Sequence, residues 1–155
     1  MTRLPAYRIT KRKWAATAFD GEAAQRYPGR WNLRGHPVIY TAASRSLAIL
    51  EILVHYEDHE LLNEHFICIP LRIPEECILE LDDPLPPDWR SDPPPASTRA
   101  LGSGWLEGGR SLALRIPSTL VPAENNYLIN PRHEAFGELE IQAPEPLDLD
   151  PRLIG

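Results

Sequence analysis

The 155-residue chain has only two cysteines, Cys68 and Cys77. That is too few and too widely spaced for a disulfide scaffold or a zinc knuckle, so both read as reduced core residues. It has no uncharged apolar stretch near the ~20 residues that a membrane span needs. The segment MTRLPAYRITKRKWAATAF has no apolar run of signal-peptide length. We therefore expect a cytoplasmic protein that does not engage a membrane. Lysine is also scarce, since of 16 cationic residues only Lys11 and Lys13 are lysines. Twenty-two acidic residues outweigh the cations and give a net charge of −6, which argues against direct nucleic-acid binding through phosphates. A localised arginine site remains open, because a guanidinium suits planar, bidentate recognition of phosphate or carboxylate.

With 43% hydrophobic residues the chain can build a sizeable core, and its length suits a single domain spanning residues 1–155. Short strand-like runs dominate: residues 37–42, 66–73, 77–81, 111–117, 127–129 and 138–142. The strongest helix runs from Ser44 to about Asp58. A second, near Thr98 to Leu106, is weakened by Gly102 and Gly104. Strands with a few helices among them, and no regular alternation, predict an α+β fold. The run from Asp83 to Pro95 reads as a rigid, irregular or polyproline connection across the domain. No internal repeats are present.

Within the first helix, SLAILEILVH places one carboxylate, Glu51, among seven aliphatic residues. At 100° per residue Glu51 shares the stripe of Leu47 and Val54. An almost wholly apolar circumference predicts a helix buried in the core. An ionised carboxylate in such a place needs a cation, donors, a proton or an opening to water. Each of these makes Glu51 a candidate site residue.

Other residue types with chemical potential lie nearby in sequence. Glu51, His55 and His59 stand at i, i+4 and i+8, a spacing that could hold a metal on one helix face for a hydrolase. The zinc-protease pattern needs Glu directly after the first His, however, and Tyr56 stands there. His59, near the helix end, is better read as solvated and facing the helix C-terminus. Upstream, the loop YPGRWNLRGHP places Arg30 between Gly29 and Trp31, where a guanidinium can be held against an aromatic or a carboxylate. The strand bearing Tyr40 then runs directly into the Glu51 helix. Tyr40 reads equally as a half-buried strand tyrosine. Downstream, Ser118 ends a strand, without the Gly-x-Ser-x-Gly elbow of a hydrolase. Asn130 precedes the turn at Pro131.

Taken in order along the chain, several of these segments form a pattern. They are Tyr7-Arg-Ile9, Gly29-Arg-Trp-Asn32, Val38-Ile-Tyr-Thr-Ala42, Ser46 to Glu51 with Val54-His55, Ile116-Pro-Ser118, and Asn126-Tyr-Leu-Ile-Asn-Pro131 with His133. In these the sequence resembles the RES domain family, the toxin half of bacterial RES–Xre toxin–antitoxin pairs. One departure is Ala23, in Gly21-Glu-Ala-Ala24, where the family pattern has glycine. The resemblance implies a fold similar to ADP-ribosyltransferase toxins and an enzyme that takes NAD⁺ as substrate rather than as cofactor. It implies cleavage of the nicotinamide–ribose bond by hydrolysis or phosphorolysis, or transfer of ADP-ribose to a protein. It further implies an Xre-type helix-turn-helix antitoxin that blocks the site. Carried over by motif, the functional positions are Arg30, Glu51 and Ser118, with Tyr40 and Arg8 beside them. Asn130 is placed with the substrate-binding residues.

Overall fold

In the computed structural model the described residues are 2–82 and 84–154; Met1, Gly155 and Asp83, the first residue of the proline-rich run, lie outside them. The strands are β1 (Arg3–Lys11), β2 (Ile39–Ala42), β3 (Phe66–Pro74), β4 (Ile78–Glu80), β5 (Ala113–Pro117), β6 (Asn125–Ile129), β7 (Glu140–Ile141) and β8 (Glu145–Pro146). They form one mixed sheet in the order β4-β5-β6-β2-β1-β3-β7, with β8 also on β3. Among the described residues only the β4–β5 pairing is parallel. The α-helices are α1 (Glu22–Arg26), α2 (Arg45–His55), α3 (Leu62–His65), α4 (Ala96–Gly108) and α5 (Pro151–Ile154), joined by short 3₁₀ turns. This is the α+β class expected from the strand-rich pattern.

The longest ladder joins β1 to β3, in register from Arg3–Pro74 to Lys11–Phe66. Strand β3 is buried along almost its whole length, as befits a strand covered on both faces. Strand β1 was not expected from periodicity, because Pro5, Arg8 and Lys11 interrupt its apolar alternation. Its partner supplies the burial that its own sequence does not announce. Between β1 and β2 only Tyr7 and Ala42 stand in register, so the sheet opens just beyond Tyr7, at Arg8.

Opposed residues in a ladder share a face. Tyr40 faces Leu128, and Ala42 faces Asn126, which in turn faces Ile116. On this face Leu47 and Ala48 of α2 pack with Ala42, Tyr7 and Ile9, and Ile52 packs with Phe66 and Cys68. The helix starts where Ser44 caps it, its hydroxyl accepting the Leu47 N–H at 3.1 Å. It stops at His55, short of Asp58, because Tyr56 turns extended and sets its ring edge-on to Phe66 at 4.8 Å. The expectation of a helix buried all round does not hold. Leu50 and Val54 are 42% and 63% exposed, so α2 lies on the sheet with an apolar outer side.

Candidate active site

Glu51 projects from the middle of α2 with 25% of its side chain exposed. Its Oε1 accepts two hydrogen bonds: the Ser118 hydroxyl donates at 3.1 Å, and the Asn126 amide donates from Nδ2 at 3.0 Å. Ser118 is fully buried. Its oxygen accepts the backbone N–H groups of Leu120 at 3.1 Å and Val121 at 3.2 Å. With the lone pairs so engaged, the hydroxyl proton is aimed at Glu51. Among the described residues the other carboxylate oxygen, Oε2, has only the exposed His55 ring, 4.0 Å away. One oxygen is thus anchored by two donors, and the other makes no hydrogen bond among the described residues.

Arg30 and Arg8 do not pair with this carboxylate. Arg30 donates from one guanidinium nitrogen to the carbonyls of Trp89 at 3.0 Å and Ser91 at 2.6 Å. Arg90 in turn donates to the Thr119 carbonyl at 3.1 and 2.8 Å. The proline-rich connection therefore bridges the Arg30 loop to the turn that begins at Ser118. Arg8 lies where the sheet opens, donating to the Ala18 carbonyl at 2.6 Å and the Tyr40 carbonyl at 3.2 Å. Burial pulls its basicity down to about 10, with Asp20 acting in the opposite sense. At neutral pH Arg8 is still a cation.

The loop carrying Arg30 is fixed by Tyr40 and by α4. The Tyr40 hydroxyl accepts the Trp31 N–H at 3.0 Å and donates to Asn32 Oδ1 at 2.6 Å. Burial pushes this phenol well above its ordinary range, against the smaller opposing effects of the Trp31 N–H, Arg99 and Arg30. A Cβ on Gly29 would lie 2.7 Å from the Tyr40 hydroxyl, which accounts for the glycine beside Arg30. From α4, Thr98 donates to the Arg30 carbonyl at 2.7 Å, Arg99 to the Gly29 carbonyl at 2.9 Å, and Ser103 accepts the Leu33 N–H at 2.8 Å. These α4 contacts carry no local sequence signal, because their partners lie far away in the chain.

One alternative needs correction. The helical face proposed for Glu51, His55 and His59 is not formed, because α2 ends at His55 and the His59 ring meets the Leu53 carbonyl at 2.6 Å. Among the described residues no group of three metal-binding side chains comes together. Asn130, which the resemblance places with the substrate-binding residues, lies away from Glu51. It follows β6 at the end opposite Asn126, and four strand residues span roughly 13 Å. There its Oδ1 accepts the Arg132 N–H at 3.0 Å. It lines a separate cavity of about 460 Å³ with His36, Glu107 and His133. The asparagine that reaches the carboxylate is Asn126, whose side chain shares a face with Ala42 and Ile116. Alternation along the strand does not single it out, because Asn126 and Asn130 are an even number of residues apart; the register of β6 does.

The architecture is shared with a solved structure. It matches a chain of the M. tuberculosis MbcT–MbcA toxin–antitoxin complex with a TM-score of 0.78, over 99% of this chain and 87% of that one, at 20% identity. The chain belongs to the RES domain family, whose model matches residues 5–150. It is 47% identical over 150 residues to the Toxin Res of Yersinia enterocolitica serotype O:8 / biotype 1B, covering 95% of this chain and 97% of that protein. It is 42% identical over 151 residues to the Toxin Res of Photorhabdus laumondii subsp. laumondii, covering 96% of each. A Sphingobium protein named Prs ADP-ribosylating toxin is 34% identical over 148 residues, covering 92% of this chain and 91% of that protein. No helix among the described residues is long and apolar enough to cross a membrane.

Proposed function

We propose that this protein is the toxin of a toxin–antitoxin pair and that it consumes NAD⁺ by cleaving the nicotinamide–ribose bond. The observation that carries the reading is the Glu51 carboxylate, anchored through Oε1 by Ser118 and Asn126, with Oε2 approached by the exposed His55 ring at 4.0 Å. Cleavage passes through an oxocarbenium-like state, which a fixed carboxylate at the ribose stabilises. Glycoside hydrolysis usually needs a second carboxyl to protonate the leaving group. Nicotinamide leaves a pyridinium as a neutral molecule, so one Glu suffices. Arg30 and Arg8 supply positive charge for the pyrophosphate. Tyr40 borders the nicotinamide and holds the Arg30 loop.

ADP-ribose then passes to water or phosphate. Transfer to a protein is the second reading, favoured by the likeness to the Sphingobium toxin. An enzyme that destroys a central dinucleotide needs restraint, and the similarity to toxins and to a chain of a toxin–antitoxin complex supports an antitoxin as partner, which the RES–Xre resemblance makes an Xre-type one. Such a partner would present carboxylates or a C-terminus to the arginines and compete with NAD⁺. The test is incubation of the purified protein with NAD⁺, with and without phosphate, following nicotinamide and ADP-ribose products. Release under either condition supports the first reading. Release only when a protein acceptor is added supports the second.

A further inference from the structure

We propose that Asn126 is a positioning residue of the site, holding Glu51 so that Oε2 and not Oε1 faces the reacting ribose; this rests on the NAD⁺-cleaving reading above. The argument comes from how the chain uses its other asparagines. Asn32 engages both ends of its amide. Its Oδ1 accepts from Gly29 N–H and the Tyr40 hydroxyl, and its Nδ2 donates to the Ala24, Leu33 and His36 carbonyls. Asn63 likewise donates to the Leu149 carbonyl and accepts the Leu149 N–H. These residues tie backbone segments together.

Asn126 does not. Its Nδ2 donates to Glu51 Oε1 at 3.0 Å, while its Oδ1 is buried without a hydrogen-bond partner among the described residues. An unpartnered buried acceptor opposes folding, so the backbone gains nothing from an amide here. No other bond competes to turn the amide, and an ionised carboxylate accepts only, so Glu51 alone sets its orientation. Asn126 and Ser118 approach the same oxygen from two strand ends. Together they fix both the position of the carboxylate and its rotation about the Cγ–Cδ bond. Two donors on Oε1 leave Oε2 with the less-compensated charge, which is the oxygen an oxocarbenium ion would meet.

The test compares Asn126→Ala and Asn126→Asp with wild type and Glu51→Gln, measuring kcat and KM for nicotinamide release from NAD⁺ together with thermal unfolding. Loss of one donor to a charged group should lower kcat about tenfold to a hundredfold in Asn126→Ala, with KM within about twofold. Asn126→Asp keeps the shape but donates nothing and adds a like charge, so it should be slower than Asn126→Ala. A merely structural role predicts the reverse order, with the isosteric Asp nearer wild type, and that result would overturn the proposal. A substrate-free readout separates this proposal from the reading beneath it. The Asn126 side-chain amide signals in ¹⁵N–¹H spectra, assigned by their loss in Asn126→Asp, should move in Glu51→Gln. If they move but wild type cleaves no NAD⁺, the proposed reaction fails while the Asn126 clamp stands. If they do not move, the clamp fails whatever the turnover.

Discussion

A Cβ placed on Gly102 would overlap the carbonyl oxygen of Trp31, so α4 and the Arg30 loop meet backbone to backbone. Helix propensity alone predicts that Gly102→Ala stabilises the protein by ~1 kcal/mol. The contact predicts the opposite sign. Because the obstacle is backbone, either α4 or the loop must shift, and overpacking of this kind costs ~1–3 kcal/mol. Urea unfolding should show the variant destabilised, with NAD⁺ turnover reduced as the Arg30 loop is displaced.

Tyr40→Phe removes the hydroxyl that accepts the Trp31 N–H and donates to Asn32. Leaving that N–H without its partner should cost ~1–3 kcal/mol. The phenol also links stability to pH. Folding raises its pKa above the ordinary 10.0 through burial, so its contribution is fully present below pH 10 and is lost as pH rises and the unfolded chain ionises. Denaturation measured from pH 8 to pH 11 should show this decline in wild type and a shallower one in Tyr40→Phe. Equal slopes would remove the burial argument.

The sequence makes parts of this arrangement readable and hides others for physical reasons. Ser44 marks the start of α2 because capping is local, and Glu51 stands out because a charge in an aliphatic run is anomalous at the level of a few residues. The length of α2 is less legible: Tyr56 leaves the helix to pack on Phe66, a tertiary contact. The outer side of α2 misleads, since Leu50 and Val54 carry the composition of a buried helix and lie in solvent. Gly102 and Gly104 read as helix-weakening, yet α4 runs through both, and Gly102 is required by a loop far away in sequence. Asn126 and Asn130 are indistinguishable by residue type. Only the register of β6 on β2 and β5 decides which of them reaches Glu51.

Ser118→Ala should lower nicotinamide release about tenfold to a hundredfold, because it removes one donor to Glu51. It also leaves the Leu120 and Val121 N–H groups without their acceptor. A modest fall in melting temperature should accompany the loss. Kinetics matching wild type in a folded Ser118→Ala variant would show that the hydroxyl does not orient the carboxylate.

Arg30→Lys replaces a guanidinium whose NH1 reaches two carbonyls, at Trp89 and Ser91. A compact ammonium cannot reproduce that span while also facing a phosphate. The KM for NAD⁺ should rise in Arg30→Lys, and in Arg8→Lys as well. Unchanged affinity and turnover in both variants would assign the two arginines to structure alone.

The most direct measurement is nicotinamide release by Glu51→Gln, which removes the charge at nearly constant shape and keeps an oxygen for Ser118 and Asn126 to donate to. Losing electrostatic stabilisation of the transition state should cost ~3 kcal/mol or more, about a hundredfold in rate. The account predicts a folded variant with unchanged melting temperature, turnover reduced by at least that factor and no arrest of growth when expressed; wild-type turnover in Glu51→Gln would contradict it.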